Sequence, residues 1–494
     1  MPTSPSIRVS TVSGTAWTAA LSAANKVLTA GATYVIARQL APDQYGMAGV
    51  ATSVACALVA ITPQSASDVV SSRVGVGMTG RDASRVAWPL GIAMSILFLA
   101  ATLPAARLYG RYPAADFVPL LVVLALRPVL EAWTVGPLTD LRLQMRFRSL
   151  ALSDGATQAA ATLLTVVMAV AGFGAMSLIA PQVAAVGVRA VAYRAMLERP
   201  SPGTAMPRIL LGPSVLLGLG QYAHNFLFVM DVLVLGAVAS EEQSGYFTFA
   251  FMLSSQANTV ISFQIGAVLQ TALGKLASDP VRQAAAYLRA LRSMAIVAIA
   301  ICSLQAALGE LLFSVVFDIR WRPAAVVFAW LSIAQAFFFA AAPTMALLKA
   351  QGRFRLYLAW QVIQAVISVP VFALLAARGG AIFVATGTAV LWAASLTIVA
   401  CVACRAGGVP ARKTLEALYR PWVAALVVAV PVHFAAASLP QMPFAPGLAA
   451  VVALALAGVV AALTLNRLTY PAAWIDFLGV VQQLAARGKG TMGA

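Results

Sequence analysis

The sequence is poor in the residues that soluble enzymes and nucleic-acid binders rely on. Charged residues fill 10% of its 494 positions, with two histidines and four cysteines. No helix-borne pair of metal ligands occurs, so neither a metal centre nor a cofactor is expected. Cys56, Cys302, Cys401 and Cys404 all sit in apolar runs, which gives no disulfide framework. Cys401 and Cys404 spell C-x-x-C without a second pair or a nearby histidine, and read as small helix residues. A G-x-x-x-x-G-K-[ST] loop is lacking, which argues against nucleotide hydrolysis. Gly75-Val-Gly-Met-Thr-Gly80 matches G-x-G-x-x-G by letter only. It lies in a short basic loop without the strand and helix that a dinucleotide site needs, and is expected to be a turn. The outer connections are short, so enzyme chemistry has nowhere obvious to reside.

What is present is apolar length. Hydrophobic residues make up 61% of the chain, and the mean hydropathy is +0.87. Runs of about 20 apolar residues recur from end to end, each long enough to cross a bilayer. Fourteen such runs can be drawn, from 13–37 to 446–466, so the expected fold is an all-α integral membrane protein of about 14 transmembrane helices. The first run contains Lys26 and lacks a compact apolar centre with a cleavage site, so it reads as a span and not as a removable leader.

The net charge of +17 would suggest nucleic acid in a soluble protein, but the placement of the charges decides otherwise. With fourteen spans, 25 Lys and Arg residues fall on one side and 6 on the other, leaving Lys26 and Arg127 inside spans. By the positive-inside rule both termini of this multi-pass protein are expected on the cytoplasmic side of a bacterial inner membrane, and no nucleic-acid partner is implied.

A faint repeat runs through the chain. Leu40-Ala-Pro-Asp-Gln-Tyr-Gly46-Met follows the first span, and Val238-Ala-Ser-Glu-Glu-Gln-Ser-Gly245-Tyr follows the seventh. Six spans separate the two, an even number that preserves orientation. Two pseudo-symmetric six-helix lobes are therefore expected, over 1–208 and 209–404, with a C-terminal helix pair and a cytoplasmic tail over 405–494. Trp474, Phe477, Leu478, Val481 and Leu484 recur at helical spacing in that tail, ahead of Arg487 and Lys489, and suggest a helix lying on the inner surface.

Polar residues inside the apolar runs mark candidate sites. Thr18, Ser22, Lys26, Thr29 and Thr33 share one helical face of the first span. A charge at mid-membrane costs roughly 3 kcal/mol, so Lys26, with its neighbour Asn25 and with Thr29, is expected to face a cavity. Gln221, His224, Asn225 and Asp231 form a second stripe in the seventh span. Spans two and eight add Thr62, Gln64, Ser65 and Asp68, and Ser254 to Gln264. In the fourth span, Arg127 and Glu131 are four residues apart and can neutralise each other, with Pro128 expected to kink the helix. They are candidates for a gate. His433, isolated in the thirteenth span, reads as structural.

Several segments together resemble the Wzx-type polysaccharide and O-antigen flippases of the multidrug/oligosaccharidyl-lipid/polysaccharide exporter superfamily. They are Ala37-Arg-Gln-Leu-Ala-Pro-Asp-Gln-Tyr-Gly46, Gln144-Met-Arg-Phe-Arg148, Asp231-Val-Leu-Val-Leu-Gly236, Gly245-Tyr-Phe and Trp321-Arg-Pro-Ala-Ala325. The chain departs from the pattern at Ser244 and Asp318, where many relatives carry a small apolar residue and a glycine. The resemblance implies transport of an undecaprenyl-diphosphate-linked oligosaccharide to the outer leaflet by alternating access, without enzymatic turnover. Its implied partners are the lipid-linked oligosaccharide, membrane lipids, a polysaccharide polymerase and a chain-length regulator. In that frame Lys26, helped by Arg127, is expected to contact the diphosphate, Gln221, His224 and Asn225 to line the sugar path, and Asp231 to bind a proton or coupling cation. A multidrug/cation antiporter, a lipid II flippase and a non-transporting scaffold are the alternatives.

Overall fold

The computed structural model describes residues 24–59, 63–72, 79–144, 146–197, 208–276, 279–405, 409–440 and 442–479. Among these the regular structure is helical, with no strand. Gly75–Met78 of the G-x-G-x-x-G stretch, Thr18, Ser22, Thr62 and the tail from Val480 onward lie outside the described residues. Nine helical segments in the described chain are long and apolar enough to cross a membrane.

Contacts divide the chain into two compact units, Met1–Gly245 and Tyr246–Ala494. The lobes 1–208 and 209–404 concern symmetry rather than packing and stay a proposal. In the first unit, α1 (24–39) precedes α2 (Pro42–Leu58) and α3 (Ser65–Ser72). These are followed by α4 (Gly80–Leu108), α5 (Ala114–Ala125), α6 (Arg127–Leu143), α7 (Phe147–Val170) and α8 (Met176–Ala195). Two further helices, α9 (Arg208–Phe226) and α10 (Met230–Val238), complete it and pack on α2 and α3.

Three of the expected spans in this unit are interrupted or kinked. Run 46–70 breaks between α2 and α3, where Pro63 withholds an amide from the helical ladder. Run 117–137 is kinked at Leu126, which keeps helical backbone angles, and Pro128 follows in the first turn of α6, as expected from the sequence. Run 209–236 breaks between α9 and α10, where Phe228 and Val229 bond back three residues to Asn225 and Phe226 in place of four.

Close backbone approach holds α4 against α6. A Cβ on Gly80 would collide with the Gly136 carbonyl, and one on Gly91 would meet Ala132 and Pro128 at 2.7 Å. At the same crossing the Asp140 carboxylate accepts the Gly80 amide at 2.8 Å, satisfying one of the free donors at the start of α4. Arg142 reaches Asp68 at 2.9 Å and ties α6 to α3.

In the second unit lie most of α11 (Glu241–Lys275) and the helices α12 (Pro280–Val316), α13 (Arg322–Ala340), α14 (Ala342–Ala350), α15 (Phe354–Arg405), α16 (Ala411–Ala437) and α17 (Phe444–Thr469). A short α18 (471–479) carries Trp474, Phe477 and Leu478. α15 is two helices in one run, turned at Gly379 and Gly380; Gly380 has φ +61°, a conformation open to glycine at little cost. Trp321 is fully buried and lies 4.2 Å from Phe249 between ring centroids, with Phe249 also edge-on to Phe313 at 6.0 Å. That cluster explains the Tyr246-Phe and Trp321-Arg-Pro segments: aromatic rings from α11, α12 and the turn before α13 pack into one another.

Candidate functional site: a cavity at three helix breaks

The three interruptions of the first unit open onto one cavity. It measures about 120 Å³ and is lined by Ala55, Cys56 and Val59 at the end of α2, Leu124, Arg127, Pro128 and Glu131 at the α5–α6 break, and Tyr222 and Asn225 at the end of α9. Irregular backbone inside a membrane is tolerated only where protein buries it or where it lines a cavity. Helix ends leave amides and carbonyls without partners, and these supply polarity without extra charged side chains. Two bonds manage them here: Val59 donates its amide to the Ala55 carbonyl at 3.0 Å, and the Tyr222 hydroxyl donates to the Ala57 carbonyl at 2.8 Å.

Arg127 is the cation of the cavity. It stands just after the kink at Leu126, and Nε donates to Glu131 Oε1 at 2.8 Å. The guanidinium side is 48% exposed and the carboxylate 17%, so the arginine turns its outer face to open space while the glutamate lies behind it. A carboxylate that bonds Nε leaves the Nη groups available to an anion.

The predicted residues divide. Arg127, Glu131 and Asn225 come together in this cavity. Gln221 is exposed on the same helix one turn earlier, so it shares the face of Asn225 without lining the cavity. The His224 side chain lies outside the described residues. Lys26 is half-buried on α1 and is not in the cavity's described lining. Its neighbour Asn25 donates Nδ2 to the Gly155 carbonyl of α7 at 3.2 Å, which gives it a packing partner, and the carbonyl of Thr29 accepts the Thr33 hydroxyl at 2.8 Å. Asp231 is buried at the start of α10 and accepts the Val232 amide at 2.9 Å, the position at which an acid stabilises a helix N-terminus. His433 binds the Ala307 carbonyl through Nδ1 at 3.1 Å, bridging α16 to α12.

Sequence reasoning did not single out Cys56 and Tyr222. Tyr222 lies three residues before Asn225, so the helical face through Asn225 already contained it; Cys56 carried no signal within its apolar run.

Residues 35–326 match the family model described as polysaccharide biosynthesis protein. The chain belongs to that family. The fold is also that of a lipid II flippase MurJ structure in an inward closed conformation, with a TM-score of 0.66 over 91% of this chain and 98% of that one, at 10% identity. No curated protein matches the sequence. The family assignment and the all-helical membrane fold read from the sequence are thereby supported, and the protein is a multi-pass membrane protein.

Proposed function

We propose that this protein translocates undecaprenyl-diphosphate-linked oligosaccharide repeat units from the cytoplasmic to the outer leaflet of a bacterial inner membrane, by alternating access, for exopolysaccharide, capsule or O-antigen synthesis. The observation that carries the reading is the convergence of three broken helices on Arg127. Discontinuous helices around a charged cavity at membrane depth are a recurrent design of transporters. Membership of a polysaccharide biosynthesis family supports an oligosaccharide-bearing substrate. In this reading the Arg127 guanidinium takes the diphosphate, with Lys26 as a second point charge on the route. Gln221, His224 and Asn225 line the sugar path. Asp231 takes up a proton or coupling cation. No covalent bond is made or broken, and the chain works without enzymatic turnover. Both termini face the cytoplasm, and a polymerase and a chain-length regulator receive the flipped unit.

The test is lipid extraction from a deletion strain and its complemented parent. The expected result is a lipid-linked oligosaccharide accumulating on the cytoplasmic leaflet while extracellular polymer disappears, both reversed by complementation. Accumulation of the peptidoglycan lipid precursor would move the substrate assignment; normal polymer with raised sensitivity to cationic drugs would overturn it.

A further inference from the structure

The second unit holds a pair of cavities of its own. Between the two helices of α15 runs a groove of about 320 Å³, walled by Leu356, Trp360, Ile363, Ile367, Ile398 and Val402 among others. It spans from Leu356 to Ser368 along the first of these helices, 12 helical steps or about 18 Å at 1.5 Å per step. At its lower end it meets a second, open cavity of about 540 Å³ lined by Gly352, Arg353, Arg355 and Leu356. Leu356 belongs to both. Arg353 and Arg355 are exposed, and neither makes an ion pair among the described residues. They flank the start of α15 at Phe354, where the helix's own free amides add positive potential.

We propose that this continuous feature binds an anionic phospholipid of the bilayer, its phosphate between Arg353 and Arg355 and one acyl chain along the groove of α15. Charge and shape select the occupant together. Two guanidinium groups without ion pairs at the end of a channel walled mostly by apolar side chains, with Gln364, Ser368 and Ser395 the polar exceptions, match a phosphate joined to a hydrocarbon chain. The groove's length is close to one leaflet of a hydrocarbon core about 30 Å thick, so it takes a chain that ends at the bilayer midplane. An undecaprenyl chain is much longer than a leaflet is deep and would leave most of itself outside. The inference needs only the membrane setting of α15 and stands apart from the transport reading and from Arg127.

The test is native mass spectrometry of the full-length protein in detergent, titrated with phosphatidylglycerol or phosphatidylcholine. The wild type is expected to retain one phosphatidylglycerol in preference to phosphatidylcholine. Arg353→Gln/Arg355→Gln is expected to weaken that retention about tenfold, the scale of two lost phosphate contacts. Ala394→Phe, which places a ring in the groove from an exposed wall position while leaving both arginines in place, is expected to do the same. Unchanged melting temperatures would show that both variants are folded. Equal retention of the two lipids by the wild type, or undiminished phosphatidylglycerol in both variants, would overturn the proposal. Displacement of phosphatidylglycerol by equimolar undecaprenyl phosphate would assign the site to the prenyl lipid and overturn it as well.

Discussion

Gly46 and Gly245 each press against the backbone that opens the other's helix: a Cβ on Gly46 would collide with the Glu241 carbonyl, and one on Gly245 with the Pro42 carbonyl. Pro42 stands four residues before Gly46, and Glu241 four residues before Gly245. Equivalent positions of the two similar turns therefore contact one another reciprocally, both within the first unit.

Alanine at either glycine is expected to cost about 1–3 kcal/mol, because neither carbonyl can yield without shifting a helix terminus. Gly31→Ala is the control: nothing stands within 4 Å of its added Cβ, and it lies on α1. That change should be neutral or stabilising by up to about 1 kcal/mol. Melting temperatures of the three purified variants decide, and a Gly31→Ala loss equal to the others would remove the argument.

Arg127→Gln is expected to reduce polymer export about tenfold at equal expression, equivalent to about 1.4 kcal/mol of lost interaction. Arg127→Lys should rescue only in part, since an ammonium lacks the planar fork. The double variant Arg127→Gln/Glu131→Gln separates two roles. If the pair merely holds the α6 helix end, removing both charges restores export; if Arg127 meets the substrate, export stays low.

Glu241 provides a pH signature outside the spans. Burial, and then the nearby Asp43 and Asp116 carboxylates, push its pKa above the ordinary 4.5. The folded protein therefore binds the proton more tightly than the unfolded chain, and stability falls as pH rises from 4.5 through the raised value. Glu241→Gln is expected to melt higher than the wild type at neutral pH, with the gap closing on acidification. A gap that widens on acidification would contradict this sign.

Gly380→Ala is expected to destabilise by about 1–3 kcal/mol, the cost of holding a residue with a side chain at φ +61° and ψ −141°, a region essentially reserved for glycine. Limited proteolysis near residue 380 and a lowered melting temperature would register it.

Much of this architecture was legible because membrane helices advertise themselves by length and apolarity. The break in run 46–70 could be anticipated from Pro63, and that at Leu126 from Pro128, since proline withholds a backbone donor. The break at Leu227–Val229 could not: its residues are apolar, and the interruption is made by backbone turns that periodicity does not encode. Arg127, Glu131 and Asn225 were recognisable as polar residues in apolar runs, but their meeting depends on where three separate helices stop. Asp231 shows the opposite problem. A buried acid in an apolar stretch suggests ion chemistry, while its hydrogen bond to Val232 also gives it a part in starting α10.

The turn at Gly379 and Gly380 leaves almost no slack between the two helices of α15, and Gly387 is already filled by Leu375 across the hairpin. Such a pair cannot splay like two helices on a long tether. Near the turn it behaves as a single strut, where covalent geometry sets the spacing of the two helices. An epitope inserted between Gly379 and Gly380 would convert the strut into two independent rods, and the groove between them would lose its fixed width.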